Sequence, residues 1–286
     1  MVVMILVTGA TGTIGGEVVR QLVARGEKVR ALTRDPAGAR VPDGVEVVRG
    51  DYREPGSLEP ALSGVTAAFL VGVPGPGTRH DVDLVAAARA AGVPRLVKLS
   101  AIGTGDPELG PSASWHVEGE GAVRDSGAEW TILRPSTFAS NTRSWADAIR
   151  AGDPVPNLTG DGTQGVVDPR DVSEVAVRAL VEERHAGRTY TLTGPETISV
   201  PGQAAVLSEL LGRSVTARDL STAEIREYAL GWGMGEEVAD GLVVATAYVR
   251  RGGNAVVTPD VPDVLGRPAR TYREWARDHA GEFREG

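Results

Sequence analysis

Apolar positions alternate between two regimes along the first half of the chain. Val2–Val7 is an unbroken apolar run, the pattern of a parallel strand buried on both faces. Ile14, Val18, Val19, Leu22 and Val23 then recur at helical spacing through Ile14–Ala24. Further strand-like runs fall at Lys28–Leu32, Val45–Val48, Ala67–Val71, Arg95–Leu99 and Trp130–Leu133. Between them Leu58–Leu62, Asp81–Ala91 and Trp115–Arg124 read as helices, the second stopping at Gly92. This alternation predicts the α/β class, a doubly wound parallel Rossmann sheet.

The second half is less regular. Asn141–Arg150, Gln203–Leu211 and Arg273–Ala280 read as helices, and Arg188–Thr193 as a late strand. Asp171–Glu183 is an amphipathic helix with Asp171 as its N-cap, and Thr222–Leu230 a helix capped by Thr222. Residues 151–165, rich in Gly, Pro, Asp and Asn, read as loop. The run Gly231-Trp232-Gly233-Met234-Gly235 suits either a mobile lid or a tight helix–helix turn. The expected organisation is a dinucleotide-binding domain over 1–135, with 166–195 returning to it. Residues 136–165 and 196–286 would form a smaller, mostly helical C-terminal substrate lobe.

Composition narrows the function. The 286 residues carry a net charge of −8, which argues against nucleic acid as the main partner. With no cysteine, thiolate metal sites, Cys nucleophiles and disulfides are excluded. His80, His185 and His279 are dispersed and lack ligand spacing, so no metal is expected. No stretch reaches the ~20 apolar residues of a membrane span. Met1–Val7 is short, lacks a basic start and runs into a glycine loop, so it reads as a strand rather than a signal peptide. A soluble, cytoplasmic protein is expected. Only two lysines occur, Lys28 and Lys98, a bias without evident functional content.

Gly9, Gly12 and Gly15 give a GxxGxxG spacing that leaves an apolar strand and opens an apolar-periodic helix. Glycines there permit a tight turn and close backbone approach to a pyrophosphate, which the helix N-terminus then attracts. Gly9, Thr11, Gly12, Thr13, Ile14 and Gly15 are therefore candidate cofactor residues. The second strand ends Thr33-Arg34-Asp35. Thr33 stands where an NAD site places a carboxylate, and Arg34 could pair with a 2′-phosphate, so NADP(H) is favoured over NAD(H). Asp35 would speak against this if it turned inward. Asp51 and Tyr52 could border the adenine, Asp51 being equally a turn residue. Val71, Gly72 and Val73 would pass beside the nicotinamide ribose.

Together Thr8–Gly15, Gly50-Asp51-Tyr52, Lys98-Leu99-Ser100, His116-Val117-Glu118-Gly119-Glu120, Trp130–Pro135 and Asp168–Val172 carry a resemblance over nearly the whole chain. The sequence resembles the NmrA-like group of atypical short-chain dehydrogenase/reductases, and is similar to that group's NADPH-dependent quinone reductases. The resemblance implies hydride transfer to a quinone or related aromatic carbonyl compound. It also admits a non-catalytic NADP-binding redox sensor, or a tailoring enzyme of aromatic polyketide biosynthesis. The Tyr-x-x-x-Lys pair of typical short-chain dehydrogenases is replaced by His116 and Glu120.

His116 is the candidate acid, an imidazolium that Glu120 one turn on could orient or strengthen. Equally, the pair could only brace the helix. Ser100 could hydrogen-bond substrate or nicotinamide, or serve as a strand-end cap. Arg134 reads as a structural brace beside Pro135. Trp115, Phe138, Asn141, Trp145 and Trp232 are the candidate lining for a small aromatic substrate. A homodimer or a regulatory protein partner is compatible with the sequence.

Overall fold

The computed structural model describes residues 4–72, 79–110 and 115–284. Val73 therefore lies outside the described residues. The elements run β1 (Met4–Val7), α1 (Thr13–Ala24), β2 (Lys28–Thr33), β3 (Glu46–Arg49), α2 (Leu58–Leu62), β4 (Ala67–Val71), α3 (His80–Ala90), β5 (Arg95–Leu99), α4 (Val117–Arg124) and β6 (Glu129–Pro135). There follow α5 (Ala146–Ala151), β7 (Val155–Asn157), α6 (Pro169–Val181), β8 (Arg188–Leu192), α7 (Val200–Leu211), β9 (Ala217–Asp219), α8 (Thr222–Gly231), α9 (Glu236–Arg250), α10 (Asp260–Leu265) and α11 (Tyr272–Asp278).

The chain divides into two compact units. The first comprises the described residues of Met1–Thr104, Trp115–Arg134 and Pro169–Thr191; the second those of Gly105–Ser114, Pro135–Asp168 and Leu192–Gly286.

The first unit is built on a seven-stranded sheet of order β3-β2-β1-β4-β5-β6-β8. β1 pairs in parallel with β2 and β4, β2 with β3, β4 with β5, and β5 with β6. Each parallel step demands a crossover, which helices supply except between β2 and β3, where residues 34–45 make the link without a helix. Leu6, Leu32, Leu70, Leu96 and Ile132 of the strands pack on Leu58 and Leu62 of α2, Leu84 and Val85 of α3, and Val123 of α4. Within the same unit α1 and α6 pack together, with Ser173 Oγ donating to the Ile14 carbonyl at 3.3 Å. The strand order reverses between β1 and β4, and ligands of such sheets bind outside the carboxyl ends of the strands at that point.

The second unit has its own core of Trp145, Ile149, Val155, Leu207, Tyr272, Trp275 and Phe283, with β7 and β9 paired in parallel. Here the structure corrects several expectations. Residues 151–165 are not all loop, because Val155–Asn157 pairs with Ala217–Asp219. Ala139–Trp145 is a 3-10 segment and only Ala146–Ala151 is α-helical. Ser221, not Thr222, caps α8, in a reciprocal capping box with Glu224. In the first unit, α6 starts at Pro169, so Asp171 lies inside the first turn and is not its N-cap. α9 and α10 had no clear periodic signal. Gly231–Gly235 is a tight helix–helix turn, with Gly233 at φ 77° and the Met234 amide donating back to the Ala229 carbonyl at 3.2 Å.

Candidate active site

The glycine loop leaves β1 at the switch point. Thr8 braces it: its hydroxyl donates to the Phe69 carbonyl at 3.1 Å and accepts the Val71 amide at 2.7 Å, tying the ends of β1 and β4 together. Gly9 takes φ 61°, and a Cβ on it would stand 3.2 Å from that of Val71. A Cβ on Gly15 would overlap the Gly9 carbonyl oxygen, so the loop and the first turn of α1 touch backbone to backbone. Gly12 is the N-cap of α1 with no side-chain cap, and no acidic residue lies in the first turn. The leading amides of α1 are thus left to an anion.

Beside the loop lies a cavity of about 270 Å³ lined by Gly9, Thr11, Leu32, Thr33, Arg34, Gly50, Asp51, Tyr52, Arg53, Val71 and His80. Arg34 is exposed and makes no hydrogen bond or ion pair among the described residues. Asp35 turns away: its carboxylate accepts from the Ala37 and Gly38 amides at 3.1 and 3.2 Å. Asp51 is engaged by Arg53 at 2.6 Å, and hydrogen bonds from the Arg53 side chain and amide hold its carboxyl far below the usual range. Tyr52 donates to the Val71 carbonyl at 2.8 Å, and burial pushes its phenol up to about 12. These residues fit a dinucleotide: bare amides for the pyrophosphate, no inward carboxylate at the end of β2, and an uncommitted guanidinium.

At the carboxyl ends of β4 and β5 the same unit buries a charged cluster. Lys98, on β5, is wholly buried, with Nζ 2.5 Å from Asp81 Oδ2, 3.1 Å from the Leu99 carbonyl and 3.3 Å from His116 Nδ1. Asp81, on α3, fits here because Gly72 and Gly119 have no side chains: a Cβ on either would collide with its carboxylate. Asp81 Oδ1 is buried without a hydrogen-bond partner among the described residues. His116 is 6% exposed, its ring centroid 3.5 Å from that of the exposed Trp115. Burial lowers the His116 imidazole, the Lys98 ammonium lowers it further, and Asp81 does not restore it. Burial likewise lowers Lys98 against the pull of Asp81. Burial alone would raise the Asp81 carboxyl, but His116 and Lys98 hold it down.

Glu120 does not orient His116. It accepts two hydrogen bonds from Arg134 at 2.8 and 2.6 Å, one from Arg124 at 2.8 Å and one from Ser100 Oγ at 2.6 Å. Against burial, those partners hold its carboxyl below the usual range. The reason lies in its other partners: His116 keeps a helical backbone and its carbonyl accepts the Glu120 amide at 2.9 Å, but Arg134, Arg124 and Ser100 draw the carboxylate to themselves. Ser100, 3% exposed, has committed its proton to Glu120. The expected imidazolium acid is disfavoured, since a depressed His116 is neutral at pH 7.

Sequence reasoning missed Asp81 and Lys98 as a site. The signal was present: a lysine inside the apolar strand Arg95–Leu99 has to meet a carboxylate.

The second unit holds a cavity of about 770 Å³. Asn141, Trp145 and Trp232 line it, together with Gln203, Tyr228 and Met234. Phe138 is not among its lining residues; it is half-buried in a bridge to Val167. Trp115 belongs to the first unit.

The fold and the glycine cradle define a dinucleotide-binding oxidoreductase of the Rossmann type. The chain belongs to the NAD(P)H-binding family, whose model matches residues 9–183. It is 44% identical over 282 residues to the (4-alkanoyl-5-oxo-2,5-dihydrofuran-3-yl)methyl phosphate reductase of Streptomyces griseus, covering 98% of this chain and 99% of the relative. It is 38% identical to the NAD(P)H azoreductase of Xenophilus azovorans, with the same coverage of each. The NADPH complex of an NADPH-dependent quinone oxidoreductase from Escherichia coli superposes with a TM-score of 0.84 at 28% identity, covering 96% of this chain and 99% of that one. The protein is an NAD(P)H-dependent oxidoreductase. No described helix is long and apolar enough to cross a membrane.

Proposed function

We propose that the protein is an NADP(H)-preferring reductase of a quinone or related conjugated carbonyl compound. The observation that carries the cofactor preference is the end of β2, where Arg34 is uncommitted and Asp35 is folded into its own turn. Gly9, Gly12 and the leading amides of α1 hold the pyrophosphate, Arg34 the 2′-phosphate, and Asp51 and Tyr52 border the adenine. The bound reduced nicotinamide supplies a hydride.

The acceptor class is supported by the named substrates of the relatives. A quinone and an alkanoyl-oxo-dihydrofuran each offer a double bond conjugated to a carbonyl, and an azo compound an N=N bond whose second nitrogen takes the charge. Such a bond takes the hydride with its electron pair, and the charge that develops on the conjugated heteroatom is quenched by a proton from water. His116 stands at the carboxyl end of the sheet as the group to stabilise that charge. The aromatic and amide lining of the second unit's cavity suits a flat, neutral acceptor.

Oxidation of NADPH and NADH at 340 nm with a quinone panel, on wild type and Arg34→Ala, tests the reading. Wild type should turn over with NADPH preferred, and the variant should weaken NADPH about 10–100-fold, the worth of charge-assisted hydrogen bonds, with NADH unchanged. Equal use of both cofactors by wild type, or an equal effect of the variant on both, would remove the preference. Absence of turnover with every quinone would remove the acceptor class.

A further inference from the structure

We propose that Lys98 is a positioning residue that fixes His116 as a neutral imidazole carrying its proton on Nε2, so that His116 serves as an uncharged hydrogen-bond donor and not as an imidazolium acid. The inference deepens the reading above and rests on it for the use to which the donor is put.

The argument is a count of hydrogens. An ammonium has three N–H groups and no lone pair. Among the described residues Lys98 Nζ has three neighbours within hydrogen-bond range: Asp81 Oδ2, the Leu99 carbonyl and His116 Nδ1. The first two accept only, so the third hydrogen goes to Nδ1, which must offer its lone pair. The ring proton then resides on Nε2, which makes no hydrogen bond among the described residues. The competing arrangement, with Nδ1–H donating to Asp81 Oδ2, is opposed by distance, 3.7 Å against 3.3 Å to Nζ. It would also set a hydrogen against an ammonium. The charged groups facing the imidazole are Asp81 from α3, Lys98 from β5 and Glu120 from α4. Glu120 is spent on Arg134, Arg124 and Ser100. Asp81 Oδ2 takes the Lys98 ammonium, and its pull on the ring does not offset burial and Lys98.

Chemically, a neutral imidazole donor stabilises an oxyanion as it forms without first being protonated, so its contribution is constant through neutral pH. The two electrons and the hydrogen still come from the reduced nicotinamide, and the balancing proton from water. Lys98 touches neither.

The test is a long-range ¹H–¹⁵N correlation spectrum of the full-length, histidine-labelled protein between pH 5.5 and 9, with His116 assigned by comparison with His116→Gln. The expected result is an unprotonated Nδ1 and a protonated Nε2 throughout. A protonated Nδ1, or a His116 midpoint at or above the ordinary histidine value, overturns the proposal without recourse to a variant. In Lys98→Met the ammonium is lost while Asp81 remains. The His116 midpoint should then rise by at least a unit and the kcat/KM profile should acquire a limb absent from wild type. If the variant folds and neither changes, Lys98 does not position the ring. The reading beneath is separable: His116→Gln should lower quinone kcat/KM about 100-fold. No loss, with the wild-type spectrum as expected, removes the donor's role in reduction and leaves the tautomer assignment intact.

Discussion

The two compact units bury polarity in opposite ways. The first hides charge: Lys98, Asp81, Glu120, Asp171 and Asp51 are all buried. The second, apart from Asp168 at its boundary, hides neutral amides and hydroxyls: Asn157, Gln164, Asn254, Gln203, Thr142 and Thr246. Its pairs are correspondingly mild, Thr142 Oγ1 donating to Gln203 Oε1 at 3.3 Å and Asn254 Nδ2 to Gln164 Oε1 at 3.1 Å. Buried charge is costly to desolvate and costlier to leave unpaired, so it persists where geometry is closely matched. Neutral amides tolerate adjustment. The difference suits the first unit to hold groups in fixed protonation states and the second to accommodate a ligand's shape.

Breaking one member of each kind of pair should show this most sharply. Lys98→Met leaves the buried Asp81 without its ammonium partner, and equilibrium denaturation near pH 8 should find the chain about 3–5 kcal/mol less stable. The double variant Lys98→Met/Asp81→Leu should recover much of that loss. If the single variant were no worse than the double, the pair would not be the closely matched unit described here.

Acidification separates the units next. His116 is depressed in the folded state, so the unfolded chain binds a proton near the ordinary value of about 6.5 while the folded chain does not. Stability is therefore fully present above that value and falls as pH drops below it, by at most about 1.4 kcal/mol per pH unit. His185 is depressed mainly by burial and contributes with the same sign. Replacing His116 by Gln should flatten the slope of unfolding free energy between pH 7 and 5 by up to one proton. An unchanged slope would mean that the ring titrates normally when folded.

The smallest effect belongs to the neutral pair. Gln203→Leu removes one weak hydrogen bond and leaves Thr142 its contact with the Tyr272 hydroxyl at 3.2 Å. A loss of about 1 kcal/mol is expected by the same denaturation measurement. A loss as large as that of Lys98→Met would erase the contrast.

Much of the first unit was legible because its strands are buried on both faces. Ala67–Val71 and Arg95–Leu99 stand out as apolar blocks bounded by turns, and the structure gives them those limits. Helix α9 was not, for its apolar residues are spread around it: Val238, Leu242 and Val243 are half-buried and only Ala239, Gly241, Thr246 and Val249 are buried. The glycine cradle was legible as a motif. The Lys98–Asp81–His116 cluster was not, because its members come from three elements and meet only once the sheet is assembled. The i,i+4 spacing of His116 and Glu120 misled for a related reason. Spacing fixes a shared helix face, whereas Arg134, arriving from β6, decides which way Glu120 turns.

Gly119 and Gly121 lie two residues apart in α4, and either would attract a protein engineer looking to replace helical glycines with alanine for thermal robustness. At Gly121 nothing lies within 4 Å of the added methyl, and the substitution should gain about 0.5–1 kcal/mol by stiffening the unfolded chain. At Gly119 the same methyl would land 2.5 Å from Asp81 Oδ2 and dislodge the carboxylate that anchors Lys98. One glycine is open to improvement; the other serves as a wall of the charged cluster, and a stability screen blind to that distinction would trade the order of that cluster for helix propensity.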